Sequence, residues 1–377
     1  MRCLYIILFL TLNSCTYSKG ITQTIEIIQN ILDKYNIDNT SKTDVTKQIQ
    51  LAIKKEGQVV LPKGVYLVNG TIKLIDSQSI HLENGAWIVR KEYNEEPIIW
   101  MLGTYCSFTG NGKNSVIEAK VSTPNGLIRL GHKDMTRSSK NVLHATIKDL
   151  RMKGKSYGGG VDKIVDKGIY MPNPQHKGMA SYFHTIHNLL ITNVDIGIHL
   201  HGFSNANSIN NIVLEGVGNE KKDTGIWIEG AQENRISDVF HHHSTGVGST
   251  IRVNDCTTAK RTYTSSFNRV ENVVSEPDAG KGISSCLIFS SKGTRNYFSI
   301  SENNINGNKL SENFTGGKNI LQSSTTGKLF IKNSIVNQST FIPSTSASAN
   351  SLFVDSKDGK LKFKNSKGKI HAVTPSN

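Results

Sequence analysis

The chain has 377 residues, with 44 Lys and Arg against 30 Asp and Glu, which gives a formal net charge of +14. A protein this basic favours anionic partners. Its five cysteines stand at irregular positions, so the composition excludes a disulfide-rich scaffold and a zinc site built from closely spaced cysteines.

The first 15 residues have the pattern of an export signal. Arg2 precedes an apolar run, CLYIILFLTL, which is too short to span a membrane. The run leads into Leu-Asn-Ser-Cys, which resembles a bacterial lipobox, and this resemblance implies that Cys15 carries a lipid. An ordinary secretory signal cut nearby is the alternative. We therefore expect an exported protein, lipid-anchored to the cell envelope at the outer membrane or cell surface, or otherwise periplasmic or secreted.

Two helices are predicted before the main fold. Residues 16–40 carry apolar side chains at helical spacing and form a helical leader, and a second short helix starts at Asp44. From Asp44 to Leu74, including the stretch VVLPKGVYLV, the chain resembles the opening of the pectate-lyase-like superfamily. The resemblance implies an all-β fold, a right-handed parallel β-helix (a solenoid) capped by the N-terminal helix. That superfamily contains both lyases and hydrolases.

An irregular internal repeat predicts the same fold. An aliphatic–x–Asn/Asp–aliphatic motif occurs five times, with its polar members 39, 23, 27 and 34 residues apart. Such variable spacing suits stacked coils that share a strand and a turn but differ in loop length. Asn and Asp tolerate the left-handed backbone conformation, so we expect their side chains to form a ladder at one turn of each coil. The members are Asp149, Asn188, Asn211, Asp238 and Asn272.

A second repeat follows these turns and predicts a strand with one buried face. Aliphatic residues alternate there with variable ones, which is the period of a half-buried strand. We expect the variable residues to project from one face in the order Trp100, Arg129, Tyr170, His199, Trp227 and Arg252. Two positions further along each strand, a second row contains His201, Glu229 and Asn254.

The composition predicts where the fold changes along the chain. We assign residues 41–300 to the parallel β-helix, which would be the catalytic domain. Residues 301–350 are rich in Asn, Ser, Thr and Gly and are predicted to form polar terminal coils or a linker. Residues 351–377 read as a C-terminal β-hairpin that turns at Asp358-Gly359. This segment is similar to terminal segments of some phage-tail and secreted β-helix proteins, and association into homo-oligomers through it is left open.

The row of aromatic and basic side chains predicts an acidic polysaccharide as substrate. Cleavage of such a polymer by β-elimination needs a base, an acid for the leaving oxygen and a group that neutralises the carboxylate. We assign His199 as base, Tyr170 as proton donor and Arg252 as carboxylate ligand, with Arg129 as an alternative ligand. The resemblance also implies an alternative base, because some β-helix lyases use a lysine, and the basic loop between residues 153 and 177 could supply it. The remaining substrate-binding candidates lie in the two rows or in the loop between residues 132 and 167: Trp100, Arg129, His201, Trp227, Glu229, Asn254, Lys155 and Tyr157.

Two other functions remain open on the same fold. A glycoside hydrolase needs two carboxylic acids, and among the row residues only Glu229 is acidic. A non-catalytic glycan-binding β-helix on the cell surface would use the same rows. The run His241-His242-His243 places at most two rings on one face and is predicted to lie in a surface loop. We expect no metal, no cofactor and no nucleic acid partner.

Overall fold

The computed structural model describes residues 31–132, 141–155, 165–172, 181–217, 224–244, 249–257, 262–277, 296–300, 320–323, 341–342, 351–355, 358 and 360–372. The export signal with Cys15, most of the helical leader and Tyr157 lie outside the described residues. Of the leader, residues 31–35 are helical. Among the helices in the described ranges, none is long and apolar enough to cross a membrane.

The described part of the chain forms thirty strands and one complete helix, α1 (Thr46–Glu56). The first fifteen strands are β1 (Thr40–Asp44), β2 (Gln58–Leu61), β3 (Gly64–Leu67), β4 (Ile72–Leu74), β5 (Ser79–Leu82), β6 (Ala86–Arg90), β7 (Ile99–Met101), β8 (Ser107–Gly110), β9 (Val116–Ala119), β10 (Ile128–Leu130), β11 (Val142–Leu143), β12 (Thr146–Lys153), β13 (Lys167–Met171), β14 (Ser181–Tyr182) and β15 (Thr185–Thr192). The others are β16 (Ile196–His201), β17 (Ser204–Asn205), β18 (Ser208–Glu215), β19 (Thr224–Glu229), β20 (Arg235–Ser244), β21 (Ser249–Asn254), β22 (Cys256–Thr257), β23 (Thr262–Tyr263), β24 (Arg269–Pro277), β25 (Tyr297–Ile300), β26 (Ile320–Ser323), β27 (Phe341–Ile342), β28 (Ser351–Asp355), β29 (Leu361–Lys364) and β30 (Ile370–Ala372).

Most strands belong to parallel sheets that run along a solenoid. The larger sheet has the order β1-β3-β6-β9-β12-β15-β18-β20-β24-β25-β26, with β2, β5 and β8 beside it. The second sheet has the order β4-β7-β10-β13-β16-β19-β21, and a short third sheet consists of β11, β14 and β17. Successive coils of the chain contribute the successive strands of each sheet. The described residues therefore form a parallel β-helix, and the predicted fold class is confirmed.

Helix α1 covers the start of the core, as the sequence predicts. Val45, Ile49 and Ile53 lie on one face of it and are completely buried. Asp44 Oδ1 accepts the backbone N–H of Thr46 at 3.0 Å, which provides an acceptor for an N–H at the start of the helix. The aliphatic side chains behind the helix form one continuous core along the interior of the coils.

The predicted Asn/Asp ladder is confirmed. All five members have a positive φ, between 49° and 59°. Asn188 Nδ2 donates to Asp149 Oδ1 at 2.7 Å, and Asn211 Nδ2 donates to Asn188 Oδ1 at 3.1 Å. Further along, Asn272 Nδ2 donates to Asp238 Oδ1 at 2.6 Å. These side chains mark the bend at which each long strand of the larger sheet turns.

A second asparagine ladder, which was not predicted from the sequence, lies inside the β-helix. Asn234 Oδ1 accepts both the backbone N–H and the side-chain amide of Asn207, at 3.1 and 2.9 Å. Asn234 in turn donates both of its own groups to Asn268 Oδ1, each at 3.0 Å. Each of these residues stands two positions before the first apolar residue of a strand, which is the signal that could have revealed them. The four buried members are Asn207, Asn234, Asn268 and Asn296.

The structure corrects one expectation about the second half of the chain. The run His241-His242-His243 lies on strand β20, not in a loop. His241 is completely buried, and its ring nitrogens bond to Thr250 Oγ1 and to the Val217 carbonyl. Strand β26, in the segment predicted to form polar terminal coils or a linker, pairs with β25 in the larger sheet. The C-terminal hairpin is confirmed, because β28 pairs antiparallel with β29.

Acidification is expected to destabilise the fold through His184. This side chain is buried, with Nδ1 accepting the Ala145 N–H and Nε2 bonded to Ser181 Oγ, and burial lowers its pKa to about 3. In the unfolded chain His184 binds a proton as the pH falls through about 6.5, whereas in the folded chain it stays neutral until about pH 3. The contribution of His184 to the free energy of unfolding is therefore complete above about pH 6.5 and decreases as the pH falls below it. Urea unfolding at pH 7 and pH 5 should show a loss about 2 kcal/mol larger in the native protein than in H184Q. Equal losses in the two proteins would contradict this assignment.

Candidate active site

The strands of the second sheet align the predicted row of outward-facing side chains. The pairing register runs Trp100, Arg129, Tyr170, His199, Trp227, Arg252, one residue on each successive strand from β7 to β21. Lys73 on β4 precedes Trp100 in the same row and was not predicted. In the second row, Glu229 pairs with His201 on one side and with Asn254 on the other. The order of the rows is confirmed, while the roles of their members remain predictions.

Glycines at the start of the site strands allow the coils to stack closely. A Cβ atom on Gly197 would lie 2.5 Å from the Gly225 carbonyl oxygen, and one on Gly168 would lie 2.5 Å from the Gly197 carbonyl oxygen. Contacts this short do not occur between real atoms, so the chain requires glycine there. The alternating aliphatic residues that follow, such as Ile198 and Leu200, are completely buried and fix which side chains face outward.

Both tryptophans of the row, which were predicted to bind substrate, have covered faces. The rings of Trp227 and His199 are parallel, with centroids 4.5 Å apart, and the Arg252 guanidinium lies 4.4 Å from the Trp227 ring centre. Trp100 lies between Lys73 and Arg129, at 5.3 and 4.9 Å. Strands about 4.8 Å apart bring neighbouring side chains to this stacking distance. The indoles stabilise the row by ring and cation contacts and offer only their edges to a ligand.

Two residues assigned to substrate contact are buried. Arg129 has 0% of its surface exposed, and its Nη1 lies 3.6 Å from Glu96 Oε2. His199 is 5% exposed, and its Nε2 lies 2.9 Å from Glu229 Oε2. Neither side chain presents an open face to solvent. Arg129 therefore does not fit the predicted role of carboxylate ligand, and His199 does not fit that of a base in contact with substrate.

The centre of the site is a hydrogen-bonded cluster around Glu229. Besides His199, His201 approaches this carboxylate, with Nε2 3.6 Å from Glu229 Oε2. The Tyr170 hydroxyl lies 3.4 Å from His201 Nδ1, and the Cys256 thiol lies 3.1 Å from His201 Nε2. Tyr170, His201 and Glu229 are half-buried, so the surface of the cluster consists of these three side chains.

Burial controls the protonation of this cluster. It lowers the pKa of His199 well below the ordinary value and that of His201 to about 4, so both imidazoles are neutral at neutral pH. Burial also raises the pKa of Glu229 and raises that of Tyr170 to about 12. A neutral His199 donates its Nε2–H to the Glu229 carboxylate.

Lys167, which was not predicted from the sequence, completes the site. Its Nζ lies 5.0 Å from the centre of the Tyr170 ring and donates to the Pro124 carbonyl at 2.6 Å. Burial lowers the pKa of Lys167 to about 8. Strand alternation gives Lys167 the same parity as the buried Ile169, so the row pattern offered no signal for it.

Two carboxylates lie at the start of the site strands. Asp166 Oδ1 accepts the backbone N–H of Thr123 at 2.6 Å, and Asp195 Oδ2 accepts that of Asp166 at 2.6 Å. Burial raises the pKa of Asp166 to about 6, and the charge of Lys155 opposes this shift. Lys155, one of the two loop residues predicted to bind substrate, is thus close enough for its charge to lower the pKa of Asp166. The other, Tyr157, lies outside the described residues. Asn254 accepts the indole N–H of Trp227.

The chain resembles known proteins only in its fold. No protein-family model matches the chain, and no curated protein matches it. Among solved structures, PfbA, a surface adhesin of Streptococcus pneumoniae, shows 12% identity and a TM-score of 0.46 over 91% of this chain and 99% of its own. Tailspike protein 2 of Escherichia coli O157:H7 bacteriophage CAB120 shows 12% identity and a TM-score of 0.47 over 79% of this chain and 43% of its own. A family 28 exopolygalacturonase of Yersinia enterocolitica shows 12% identity and a TM-score of 0.37 over 79% of this chain and 66% of its own.

Proposed function

We propose that the protein is a lyase that cleaves a uronic-acid-containing polysaccharide by β-elimination, and that it is exported and anchored by a lipid on Cys15. The observation that carries this proposal is the position of the Lys167 amine over the ring of Tyr170, a member of the outward row. An amine whose pKa is lowered to about 8 lies against a phenol there, beside the cluster of His201 and Glu229. The net charge of +14 favours an anionic polymer.

The pair supplies the two proton transfers of the reaction. Elimination removes the proton from the carbon next to the carboxylate and expels the glycosidic oxygen one carbon further on. Lys167 in its neutral form accepts that proton, because an amine with a pKa near the working pH is an effective base. The O–H of Tyr170 donates to the departing oxygen. The products are an unsaturated uronate and a free hydroxyl, so no water is consumed.

In this proposal the two other predicted catalytic residues have supporting roles. Arg252 stands three strands from Tyr170, roughly 14 Å at the backbone, which is too far to bind the carboxylate of the same sugar. It fits the carboxylate of a neighbouring unit of the polymer. His199 lies beneath the surface against Glu229 and is a positioning residue for the Glu229 carboxylate.

One observation favours a hydrolase as the second candidate. Hydrolysis needs two carboxylic acids, one of them protonated. Burial raises the pKa of Glu229, and it raises the pKa of Asp166 to about 6, so two acids with shifted pKa values lie along the site strands. The lyase remains our first choice because Asp166 already accepts a backbone hydrogen bond from Thr123.

The test is a panel of acidic polysaccharides incubated with the purified protein and with Y170F. We expect absorbance of the unsaturated product to rise with at least one polymer, and the rate to fall by about 1000-fold in Y170F, because the phenylalanine keeps the ring and removes the acid. New reducing ends without that absorbance would identify a hydrolase. Binding of a polymer without either product would identify a glycan-binding protein. Either of these two results would overturn the lyase proposal.

A further inference from the structure

We propose that His199, His201 and Glu229 bind one divalent transition-metal ion of the Zn²⁺ type. One ligand atom from each residue lies within 4.8 Å of the other two. Glu229 Oε2 is 2.9 Å from His199 Nε2 and 3.6 Å from His201 Nε2. Ligands held about 2.1 Å from a tetrahedral zinc ion lie about 3.4 Å from one another. The two separations that involve Glu229 are therefore near those that an ion requires.

The sheet presets this arrangement. His199 and His201 are two positions apart on β16, so both side chains leave the same face of the strand. Their rings are parallel, with centroids 5.1 Å apart and an interplanar angle of 11°. Glu229 is the direct partner of His201 on the neighbouring strand, which brings its carboxylate to the Nε2 edge of both rings. Closing the site requires rotations of the Glu229 and His201 side chains, both of which are half-buried.

The chemistry of the three donors selects the class of ion. Two imidazoles and one carboxylate form the ligand set of many catalytic zinc sites, in which a fourth position stays open. Ca²⁺ and Mg²⁺ prefer oxygen ligands, which two imidazoles do not supply. The thiol of Cys256, 3.1 Å from His201 Nε2, places a soft donor beside the set and further favours Zn²⁺.

Tyr170 provides the outer contact that a metal-bound histidine normally has. When an ion occupies Nε2 of a neutral imidazole, the ring proton stands on Nδ1 and needs an acceptor. The Tyr170 hydroxyl oxygen lies 3.4 Å from His201 Nδ1 and can accept it. The bound ion would thus fix the orientation of the same phenol that the lyase proposal uses as an acid.

The ion would also supply the group that neutralises the carboxylate of the reacting sugar, since Arg252 is three strands away from Tyr170. This role rests on the proposed lyase function, whereas the binding of the ion does not. The histidine run on β20 does not offer an equivalent metal site, because both ring nitrogens of His241 already bond to Thr250 and Val217.

Titration of the chelator-treated protein with Zn²⁺ by calorimetry tests the site directly. We expect one ion per chain, and binding about 100-fold weaker in H201A and in E229Q, while H242A binds like the native protein. Titration with Co²⁺ gives an independent reading on the unaltered chain, because nitrogen and oxygen ligands in a four-coordinate site produce intense visible absorption. Circular dichroism of each variant without metal checks that it is folded.

The inference is overturned if the native protein binds less than one ion, if H201A and E229Q bind as tightly as it does, or if only H242A loses binding. The binding and catalytic results separate the two proposals. Stoichiometric binding without any eliminated product supports the metal site and overturns the lyase. Elimination by a chelator-treated protein that binds no Zn²⁺ supports the lyase and overturns the metal site.

Discussion

Replacement of Lys167 by methionine is expected to lower kcat for eliminative cleavage by about 1000-fold, with KM within about threefold of its native value. Methionine keeps most of the apolar stem of lysine but cannot accept a proton. The loss should therefore fall on the chemical step and not on the binding of the polymer. Initial rates of product absorbance over a range of polymer concentrations separate kcat from KM.

The pH dependence of the native enzyme gives this prediction a second reading. A base must be neutral before it can accept a proton, and Lys167 is protonated below its pKa of about 8. Activity should accordingly rise as the pH increases through about 8 and then level off. The residual activity of K167M should lack this rise, because the group that titrates has been removed.

K73M is the matched control for this substitution. Lys73 also lies over an aromatic ring of the row, Trp100, but it stands three strands before Tyr170. Its loss removes one positive charge from the row without touching the reacting atoms. We expect kcat to stay within about twofold of the native value, since a distant surface charge changes binding more than chemistry. Equal losses in K73M and K167M would show that charge, and not a base at Lys167, determines the rate.

The order of the row could be predicted from the sequence because strand alternation is a local rule. One position before each outward residue of the row stands a buried isoleucine, as at Ile198, Ile226 and Ile251. These isoleucines recur once in each coil, so the strands can be aligned without knowledge of the loops between them. The Asn/Asp ladder could be predicted for a similar reason. A residue that must take a positive φ is recognisable by its type, and stacking the coils brings its copies together.

Burial along the row could not be predicted in the same way. Strand alternation determines which side chains project from the outer face. It does not determine which neighbouring side chains cover them. Arg129 is buried and His199 nearly so, although both stand at outward positions, because neighbouring side chains on adjacent strands stack against them. Lys167 belongs to the site through contacts with Tyr170 and with the chain at Pro124, 43 residues away, which no periodic pattern along the sequence records.

Replacement of Asn234 by leucine is expected to lower the free energy of unfolding by about 4 kcal/mol. The two side chains have nearly the same shape, so the loss comes from hydrogen bonds and not from a cavity. Without the Asn234 amide, the backbone N–H and Nδ2 of Asn207 lose their acceptor, and Asn268 Oδ1 loses one donor. A buried polar group left without a partner costs about 1–3 kcal/mol. Urea unfolding at neutral pH measures the change.

N211G, in the outer ladder, is the matched control. Asn211 also bonds to an asparagine of the previous coil, but it is exposed, and glycine accepts its φ of 53°. We expect a loss below about 1 kcal/mol, because water replaces the lost hydrogen bond. Similar losses in N234L and N211G would mean that the buried ladder adds little to the stability of the stack. A large difference would show that the interior asparagines, and not the outer ones, hold successive coils together and thereby keep the row of site residues in register.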